Sequence, residues 1–447
     1  MRFEELAGRD IVIWGAGREG RAAYTELERL GFAARFALTC DGPAPNDIAS
    51  ITAVGPAALD RLRSADVVIK SPGVPRTSPE FISVRELGIQ ITSLTDLWLS
   101  ANVARALAVT GTKGKSTTSA MAHHLLTSVG INASLVGNGG TPVTDGDTSD
   151  AEVAVTEVSS YQAADLSVSP RIAVVTSLYP EHLPWHGGYD QYIEDKLNLV
   201  AHGPAIVVLP DTDGDVARLV RTRVGAATRL VAPGGLGITS SDAGIAWEGV
   251  GRLGPDQLSV HGRHNYVNAA LALTAVTVGF DVPEGERCQL LEAVLSFAPL
   301  AHRLETIPSD DGRRWVDDSL ATAPEAVIAA LETYPKSSVT LILGGADRGL
   351  AFDPLLSYLS RRPPSAPVEV IAVGPAGARW LAEGGPNTRL APNFAAAMGW
   401  VRTEPGGSDI VLLSPGAPSF DEFTSFVGRS AAFRSAASSR RIGDGTQ

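Results

Sequence analysis

The stretch Val109-Thr-Gly-Thr-Lys-Gly-Lys-Ser-Thr117 decides how the sequence around it folds. It overlaps the end of an apolar run at residues 105–110 and leads into a helical pattern at 115–129, so we predict a strand, a glycine loop and a helix. Backbone N–H groups and the helix dipole can hold phosphate groups at such a junction. Lys113 and Lys115 oppose the dipole at a helix N-terminus unless an anion neutralises them. Phosphate binding is therefore favoured over a polar turn with a capping serine.

The same stretch ends in the Gly-Lys-Ser sequence of nucleotide-binding loops. In such loops the lysine, here Lys115, reaches the β- and γ-phosphates, and the hydroxyl of Ser116 binds Mg²⁺. The first glycine of the usual Gly-x-x-x-x-Gly-Lys spacing is absent, since Val109 stands there. We therefore predict a shortened ATP loop. Its predicted contacts are Gly111, Thr112, Lys113, Gly114, Lys115, Ser116 and Thr117.

A second glycine loop lies near the N-terminus. The apolar run at residues 11–14 enters Gly15-Ala-Gly-Arg-Glu-Gly20, which has the Gly-x-Gly-x-x-Gly spacing of dinucleotide-binding loops. Alone, this loop is weak evidence for NAD(P) and a dehydrogenase, and a packing turn is the alternative without a ligand. Because the chain also carries an ATP loop, we favour a third option, the diphosphate of a nucleotide-linked substrate.

Alternation of apolar runs with helical patterns predicts an α/β protein with parallel sheets. We predict three domains, at residues 1–102, 103–300 and 301–447, and short antiparallel strands in the glycine-rich span 233–254. The tail at 430–447 is rich in serine, arginine and glycine, and we expect it to fray. The predicted strands are 11–14, 32–39, 65–69, 105–110, 153–156, 172–177, 206–209, 314–317, 339–343, 368–373 and 409–413.

The composition argues against several classes of protein. A formal net charge of −12 opposes binding to nucleic acid or anionic lipid. The two cysteines, Cys40 and Cys288, fit neither a zinc site nor a disulfide framework. The first ten residues are followed by no long apolar run, as a signal peptide or membrane span would require. We expect a cytoplasmic protein without a nucleic-acid partner and without membrane insertion.

Further motifs follow in an order that resembles the Mur ligase family. Its MurD-like, glutamate-adding members share the C-terminal pattern Ser-Pro-x-x-x-Ser-Phe-Asp-x-Phe, and the resemblance extends from the first glycine loop to about Phe426. The motifs are Thr110-Gly-Thr-Lys-Gly-Lys-Ser-Thr117, Glu157-Val-Ser-Ser-Tyr-Gln162, Glu181-His182, Lys196, His264-Asn-Tyr-Val-Asn268, His302-Arg-Leu-Glu305, Asp318-Ser319 with Ala321-Thr322, and Ser414-Pro-Gly-Ala-Pro-Ser-Phe-Asp-Glu-Phe423.

The resemblance implies a fold and a reaction. The fold is the three-domain Mur ligase architecture, with an N-terminal Rossmann-like domain for the UDP substrate, a central P-loop ATPase-type domain and a C-terminal Rossmann-like domain for glutamate. In the reaction, ATP phosphorylates the alanine carboxylate of UDP-N-acetylmuramoyl-L-alanine, and the amine of glutamate displaces the phosphate, in peptidoglycan precursor synthesis. We expect the enzyme to be a monomer.

The resemblance also implies roles for four catalytic residues. Lys115 contacts the phosphates, Glu157 shares a first Mg²⁺ with Ser116, and His182 meets a second Mg²⁺. Lys196 is carbamylated by CO₂, which turns a cation into a metal-binding anion. Taken without the resemblance, Glu157 would be a helix-capping carboxylate, His182 a hydrogen-bonded loop residue and Lys196 a surface lysine paired with a neighbouring carboxylate.

The resemblance assigns the remaining site residues to three groups. The residues expected to contact ATP besides the loop are Asn268, Arg303 and Asp318. The residues expected to hold the UDP-sugar substrate are Gly15, Gly17, Arg18, Ser71, Asn138, Ser159 and Gln162. The residues expected to hold glutamate are Thr322, Arg348, Ser419 and Phe426. Ser71 and Asn138 lie in glycine-flanked turns, so a turn role stays open for both.

Three departures from the family pattern bear on the amino acid that is added. Leu320 replaces a lysine, Arg348 replaces another lysine, and Pro180-Glu181 replaces an acidic pair. Guanidinium and ammonium groups recognise carboxylates differently. Because one cation is lost and another is changed, we favour L-glutamate over D-glutamate. The alternatives are a D-glutamate-adding enzyme, a folylpolyglutamate synthase-like ligase and a non-catalytic ATP-binding sensor.

Overall fold

A computed structural model describes residues 1–39, 51–138, 142–144, 150–260, 262–298, 300–347, 349–403 and 407–438. The chain divides into two compact units. The first unit is Met1–Leu258 with Asn265–Phe297, and the second unit is Ser259–His264 with Ala298–Gln447. The first unit contains two of the three large sheets, so the division into three domains stays a prediction.

The first unit begins with a five-stranded parallel sheet in the order β3-β2-β1-β4-β5. Its strands are β1 (Ile11–Trp14), β2 (Ala34–Leu38), β3 (Ile51–Val54), β4 (Val67–Lys70) and β5 (Gln90–Thr92). Its helices are α1 (Arg18–Arg29), α2 (Pro56–Arg63), α3 (Pro79–Glu86) and α4 (Leu94–Asn102). Because β1 is central and fully buried, an unbroken apolar run suits it. The strand order reverses at β1, where open α/β sheets bind ligands.

The second sheet of the first unit has six parallel strands in the order β11-β10-β9-β6-β8-β7. These strands are β6 (Ala106–Thr110), β7 (Ala133–Gly137), β8 (Val153–Glu157), β9 (Ile172–Val175), β10 (Ile206–Val208) and β11 (Arg229–Val231). The helices that follow α4 are α5 (Lys115–Ser128), α6 (Ser160–Ala163), α7 (Leu183–His186), α8 (Tyr189–Leu197), α9 (Asp215–Arg221), α10 (Arg263–Gly279) and α11 (Arg287–Ser296). Between α9 and α10, an antiparallel sheet confirms the prediction for residues 233–254. Its strands are β12 (Ile238–Ser241), β13 (Gly244–Trp247) and β14 (Gly251–Leu253).

The second unit contains a six-stranded sheet in the order β15-β16-β20-β17-β18-β19. All neighbouring strands of this sheet pair in parallel except β15 and β16, which pair antiparallel. The strands are β15 (Glu305–Ile307), β16 (Arg314–Asp317), β17 (Val339–Gly344), β18 (Val368–Val373), β19 (Thr388–Leu390) and β20 (Ile410–Leu413). The helices are α12 (Pro324–Glu332), α13 (Asp353–Ser360), α14 (Gly374–Ala382), α15 (Phe394–Thr403) and α16 (Phe426–Ser438).

The structure confirms the α/β class with parallel sheets, and every predicted strand is present within a few residues of its predicted bounds. The prediction that the tail frays from residue 430 is wrong as far as Ser438, because α16 continues to that residue. Phe433 and Ala437 pack into the apolar core on one face of the sheet, which holds the helix in place. Residues 439–447 lie outside the described residues.

Among the residues that the structure describes, every helix is too short or too polar to span a lipid bilayer.

Candidate active site

The predicted ATP loop joins β6, which is central in its sheet, to α5. Gly111 (φ +143°) and Gly114 (φ +88°) both adopt backbone conformations that favour glycine. A Cβ atom at Gly111 would lie 1.9 Å from the Thr176 hydroxyl, and one at Gly114 would lie 2.3 Å from the Asn268 amide oxygen. Both glycines are therefore required by close packing. Asn268, predicted to contact ATP, lies directly against the loop.

Two lysine side chains converge on this loop. Lys115 and Lys196 each place Nζ 2.9 Å from the carbonyl oxygen of Gly111, and Lys115 also donates to the carbonyl of Thr112. Lys196 is only 2% exposed, so the alternative of a surface lysine is wrong. Burial lowers the pKa of Lys196 well below its usual value, and the nearby cations Lys115 and Lys113 lower it further. The structure therefore favours a neutral amine at this position.

Glu181 and His182 lie on the other side of the loop. The Lys113 ammonium is 2.8 Å from Oε1 of Glu181, and Nε2 of His182 is 3.9 Å from Oε2 of the same carboxylate. Burial acts to raise the pKa of Glu181, but the Lys113 charge and hydrogen bond outweigh it, so the pKa is lowered. Burial lowers the pKa of His182, whose ring packs 5.0 Å from that of Tyr161. A neutral imidazole, the form that binds metals, is favoured.

Glu157 ends β8 and links the ATP loop region to the first glycine loop. Its side chain is 3% exposed and accepts a hydrogen bond of 2.9 Å from Nδ2 of Asn138. A guanidinium nitrogen of Arg18 donates to the backbone carbonyl of Asn138 at 3.3 Å. Arg18, Asn138 and Glu157, which were predicted from separate motifs, therefore lie together within the first unit.

The first glycine loop closes over Ser71. The Ser71 hydroxyl donates to the carbonyl of Gly15 at 3.0 Å, and a Cβ atom at Gly15 would lie 2.9 Å from that hydroxyl. The same loop packs so tightly that a Cβ atom at Gly20 would lie 2.0 Å from the Gly15 carbonyl. Gly17, in contrast, is exposed and has open space where a Cβ atom would be. Gly15 and Ser71 therefore stabilise the loop, and Gly17 faces outward.

Ser159 and Gln162 form the capping box of α6. The Ser159 hydroxyl accepts from the backbone N–H of Gln162 at 3.2 Å, and the Gln162 side-chain oxygen accepts from the Ser159 N–H at 2.9 Å. The Gln162 amide nitrogen donates to the carboxylate of Glu19 in the first glycine loop. These contacts give both residues a structural role, and their contact with substrate stays a prediction.

In the second unit, Asp318 follows β16 and is fully buried among hydrogen-bond donors. Its carboxylate accepts from the Ser414 hydroxyl at 2.8 Å and from the backbone N–H of Leu304 at 3.3 Å. Burial raises the pKa of Asp318 to about 7, although Ser414 and the charge of Arg303 act to lower it. Arg303 lies between His302 (φ +63°) and Leu304 (φ +50°), both in the left-handed region.

The residues predicted to hold glutamate follow β16 and β20, which are adjacent parallel strands. Thr322 is half-buried after β16, and Ser419 is buried after β20. Phe426 begins α16 and packs its ring edge-on against His302, with centroids 5.6 Å apart. Carboxyl ends of parallel strands share one sheet edge, so these loops lie at the same edge. Arg348 lies outside the described residues.

His302, Glu305 and Asp317 place one potential metal-ligand atom each within 4.8 Å of one another. Cationic and hydroxyl groups of α16 occupy this cluster. Asp317 accepts from the Ser430 hydroxyl at 2.5 Å, and the Arg434 guanidinium pairs with both Asp317 and Glu305. The cluster is therefore an internal ion-pair network that anchors α16.

The sequence analysis did not single out Tyr192, which lies on α8 and contacts the ATP loop. Its hydroxyl is 2.6 Å from that of Thr112, and its ring centroid is 5.0 Å from the Lys196 ammonium. Tyr192 lies four residues before Lys196 on the same helix, a spacing that places both side chains on one face. That spacing is the sequence signal that could have identified it.

Comparison with known proteins gives consistent results at the family level. Residues 109–276 match the Mur ligase middle domain. The chain is 40% identical to the UDP-N-acetylmuramoyl-L-alanine--L-glutamate ligase of a Micromonospora species, over 98% of each sequence. It is 40% identical to the ligase of that name from Salinispora tropica, and 33% identical to that from Xanthomonas campestris pv. campestris over 96% of this chain and 95% of the relative.

Solved structures show the same fold at low sequence identity. UDP-N-acetylmuramate-alanine ligase MurC from Thermotoga maritima is 20% identical, with a TM-score of 0.57 over 95% of this chain and 98% of its own. MurF ligase from the same organism, in complex with ADP, is 16% identical, with a TM-score of 0.60 over 96% and 95% of the two chains.

Proposed function

Because the chain belongs to the Mur ligase family and is an ATP-dependent enzyme that forms amide bonds, we propose that it adds L-glutamate to UDP-N-acetylmuramoyl-L-alanine. The observation that carries this proposal is the 40% identity, over nearly the whole chain, to ligases named for that reaction. We propose that the enzyme acts as a monomer in the cytoplasm, in the synthesis of peptidoglycan precursors.

The first half of the proposed reaction is phosphoryl transfer from ATP to the alanine carboxylate. The helix α5 begins directly after Gly114, and the N–H groups and dipole of a helix N-terminus suit phosphate. Lys115 donates to loop carbonyls here, and a bound triphosphate would offer that ammonium a stronger, charge-assisted acceptor. Asn268 lies against the loop, and Arg303 and Asp318 are proposed to complete the ATP contacts.

The residues beside the loop fit Mg²⁺. Glu157 is a buried carboxylate that accepts a hydrogen bond from the Asn138 amide, and carboxylate oxygens are suitable ligands for Mg²⁺. In ATP loops the serine hydroxyl, here that of Ser116, also binds this ion. When bound, Mg²⁺ would supply positive charge that offsets the developing negative charge of the transferring phosphoryl group. We assign Ser116 and Glu157 to one ion, and His182 with Lys196 to a second.

The surroundings of Lys196 support a carbamate. An amine attacks CO₂ only in its neutral form, and burial beside Lys115 favours that form. The anionic carbamate would be attracted to the Lys115 ammonium, which lies against the same Gly111 carbonyl.

The second half is attack by the glutamate amine on the acyl phosphate, with phosphate as the leaving group. Thr322 and Ser419 lie in loops at the carboxyl edge of the second unit's sheet, and Phe426 begins α16. We propose that these three residues hold glutamate with Arg348. Leu320 is half-buried where the family pattern has a lysine, so the cation that meets one glutamate carboxylate must come from elsewhere. This difference supports the L-enantiomer.

The UDP-sugar substrate is proposed to bind at the switch point of the first sheet. Gly17 and Arg18 are exposed at the start of α1, while Gly15 and Ser71 fix the shape of the loop. Asn138 is hydrogen-bonded to both Arg18 and Glu157, and it therefore connects the first glycine loop with the region of the ATP loop. We propose that Ser159 and Gln162 contribute by holding α6 in place.

The experiment that tests this function is phosphate release from ATP. Purified enzyme is given UDP-N-acetylmuramoyl-L-alanine with L-glutamate or D-glutamate. We expect release that requires the nucleotide-sugar and an amino acid together, with the higher kcat/KM for L-glutamate. Phosphate release that does not depend on both substrates would refute the proposed reaction.

A further inference from the structure

A buried chain of hydrogen bonds lies behind the proposed metal-binding residues. Nδ1 of His186 is 2.6 Å from Oδ2 of Asp195, and Nε2 of His186 is 3.0 Å from the Ser160 hydroxyl. The exposed fractions of Ser160, His186 and Asp195 are 3%, 1% and 4%. The order serine, histidine, aspartate is that of a hydrolase triad, so two roles must be compared.

The burial of Ser160 argues against a nucleophile. A catalytic serine must reach the atom that it attacks, and this hydroxyl is covered together with the histidine. Rings surround the imidazole: Tyr161 stacks at 5.6 Å, Trp185 packs at 4.5 Å and Tyr192 at 5.2 Å between centroids. The chain of hydrogen bonds is therefore positioned to hold elements together.

The three members lie on three consecutive helices, and each lies close in sequence to one proposed metal-binding group. Ser160 begins α6, three residues after Glu157. His186 ends α7, and its backbone N–H donates to the carbonyl of His182 at 3.3 Å. Asp195 directly precedes Lys196 on α8. One imidazole therefore joins the segments that present all three groups.

The aspartate is itself fixed from two sides. Its second oxygen, Oδ1, accepts from the Gln191 side chain at 2.9 Å and lies 3.9 Å from the Arg76 guanidinium. Because Asp195 cannot easily rotate, the position of the His186 ring is determined by both of its nitrogen atoms. Residues that hydrogen-bond to metal ligands commonly set the orientation of those ligands.

We propose that His186 is a positioning residue that sets the spacing of Glu157, His182 and Lys196 through Ser160 and Asp195. This inference rests on the proposed function, since it assigns those three groups to the metal sites. Loss of such a partner typically costs tenfold to a hundredfold in activity or metal affinity. The effect should fall on metal use rather than on ATP affinity, because the side-chain hydrogen bonds of His186 go to Ser160 and Asp195 and not to the ATP loop.

The test compares His186→Gln and Ser160→Ala with His124→Gln. His124 is a matched control because it also places one nitrogen near a serine hydroxyl (Ser296, 3.1 Å) and packs against a ring, more than two turns beyond Lys115 on α5. The measurements are kcat, the Mg²⁺ concentration for half-maximal rate, and thermal unfolding. Mn²⁺ binding in the presence of a non-hydrolysable ATP analogue, followed by electron paramagnetic resonance, is the readout that needs no turnover.

We expect His186→Gln to lower kcat by about tenfold to a hundredfold and to weaken Mn²⁺ binding, with affinity for the ATP analogue within about twofold of the parent. Ser160→Ala should show a smaller loss of the same kind, about two- to tenfold, and the double variant should be no worse than His186→Gln. His124→Gln should lower stability at most. Parent-like kcat and Mn²⁺ binding in the histidine variant would overturn the proposal; if that variant does not fold, parent-like values in Ser160→Ala would do so.

Failure of the proposed function gives a different result. In that case the parent enzyme itself releases no phosphate with its two substrates. A fluorophosphonate adduct on Ser160 would overturn the positioning role in favour of a nucleophile. An active parent with unreactive Ser160 and an impaired His186→Gln variant supports the inference.

Discussion

Replacing Lys196 with methionine should stabilise the folded protein while abolishing ligase activity. The pKa of the buried amine is lowered well below its usual value by burial and by Lys115, so above that lowered pKa folding makes Lys196 release a proton that the unfolded chain keeps. Methionine fills a similar volume without that cost, and its sulfur can pack on the Tyr192 ring, which lies 5.0 Å from the lysine ammonium. Activity should fall at least a hundredfold, because the proposed carbamate is lost.

The magnitude follows from proton linkage. Where the folded protein holds Lys196 neutral and the unfolded chain holds it protonated, the free energy of unfolding rises with pH by about 1.4 kcal/mol per pH unit. This window extends from the lowered folded pKa to the unfolded value of about 10.4. The Lys196→Met variant has no such pH-dependent contribution. The difference in free energy of unfolding between the variant and the parent should therefore fall by about 2 kcal/mol between about pH 7.5 and 9. The lost hydrogen bond to Gly111 costs the variant about 1 kcal/mol.

The assay is urea unfolding of the parent and Lys196→Met in CO₂-free buffer at the two pH values. The exposed Lys336→Met variant controls for the loss of a lysine. A Lys196→Met protein that is less stable than the parent at the lower pH, or a stability difference that does not change with pH, would refute the reasoning.

Four further predictions concern the site residues. Lys115→Ala should abolish ATP turnover, because the variant lacks the ammonium group proposed to contact the phosphates, and thermal unfolding should show that the variant keeps its fold; equal turnover by the variant would remove the ATP-loop assignment. Lys196→Ala should be partly rescued in phosphate release by short carboxylic acids that bind the metal. Arg348→Ala should raise KM for L-glutamate by about tenfold to a hundredfold without changing that for ATP. Between pH 5 and 7 the free energy of unfolding of Asp318→Asn, measured in urea, should rise by about 2 kcal/mol relative to that of the parent. The reason is that the parent loses stability as the pH approaches the raised pKa of Asp318, about 7.

The strands and glycine loops were predictable because their signals are local. β1 and β6 are unbroken apolar runs, and each is followed by glycines that the backbone conformation requires. The strands that were not predicted in the three large sheets all lie at sheet edges, where a strand need not be an unbroken apolar run; they are β3, β5, β7, β11, β15 and β19. The composition of the tail was misleading, since its apolar residues Phe426, Phe433 and Ala437 recur at helical spacing.

The site was less accessible to sequence reasoning. The capping box of Ser159 and Gln162 is visible as a Ser-x-x-Gln spacing, but the sequence analysis assigned both to substrate. The burial of Lys196 was not visible, because a lysine next to Glu194 and Asp195 on a short helix resembles a surface residue. Its partner, the Gly111 carbonyl, lies 85 residues earlier in the chain. Contacts of that kind are set by packing between elements and leave no local pattern.

Two residues assigned to the reaction conflict with the stability of the fold. Lys196 is a buried amine beside other cations, and Asp318 is a buried acid with a raised pKa. The buried Lys70–Asp165 pair, in contrast, joins opposite charges at 2.7 Å. The Lys196 amine instead donates to the Gly111 carbonyl, which also accepts from the Lys115 ammonium. Ionisable groups held in such unfavourable surroundings are typical of functional sites, so the electrostatics around Lys196 support its assignment to the reaction.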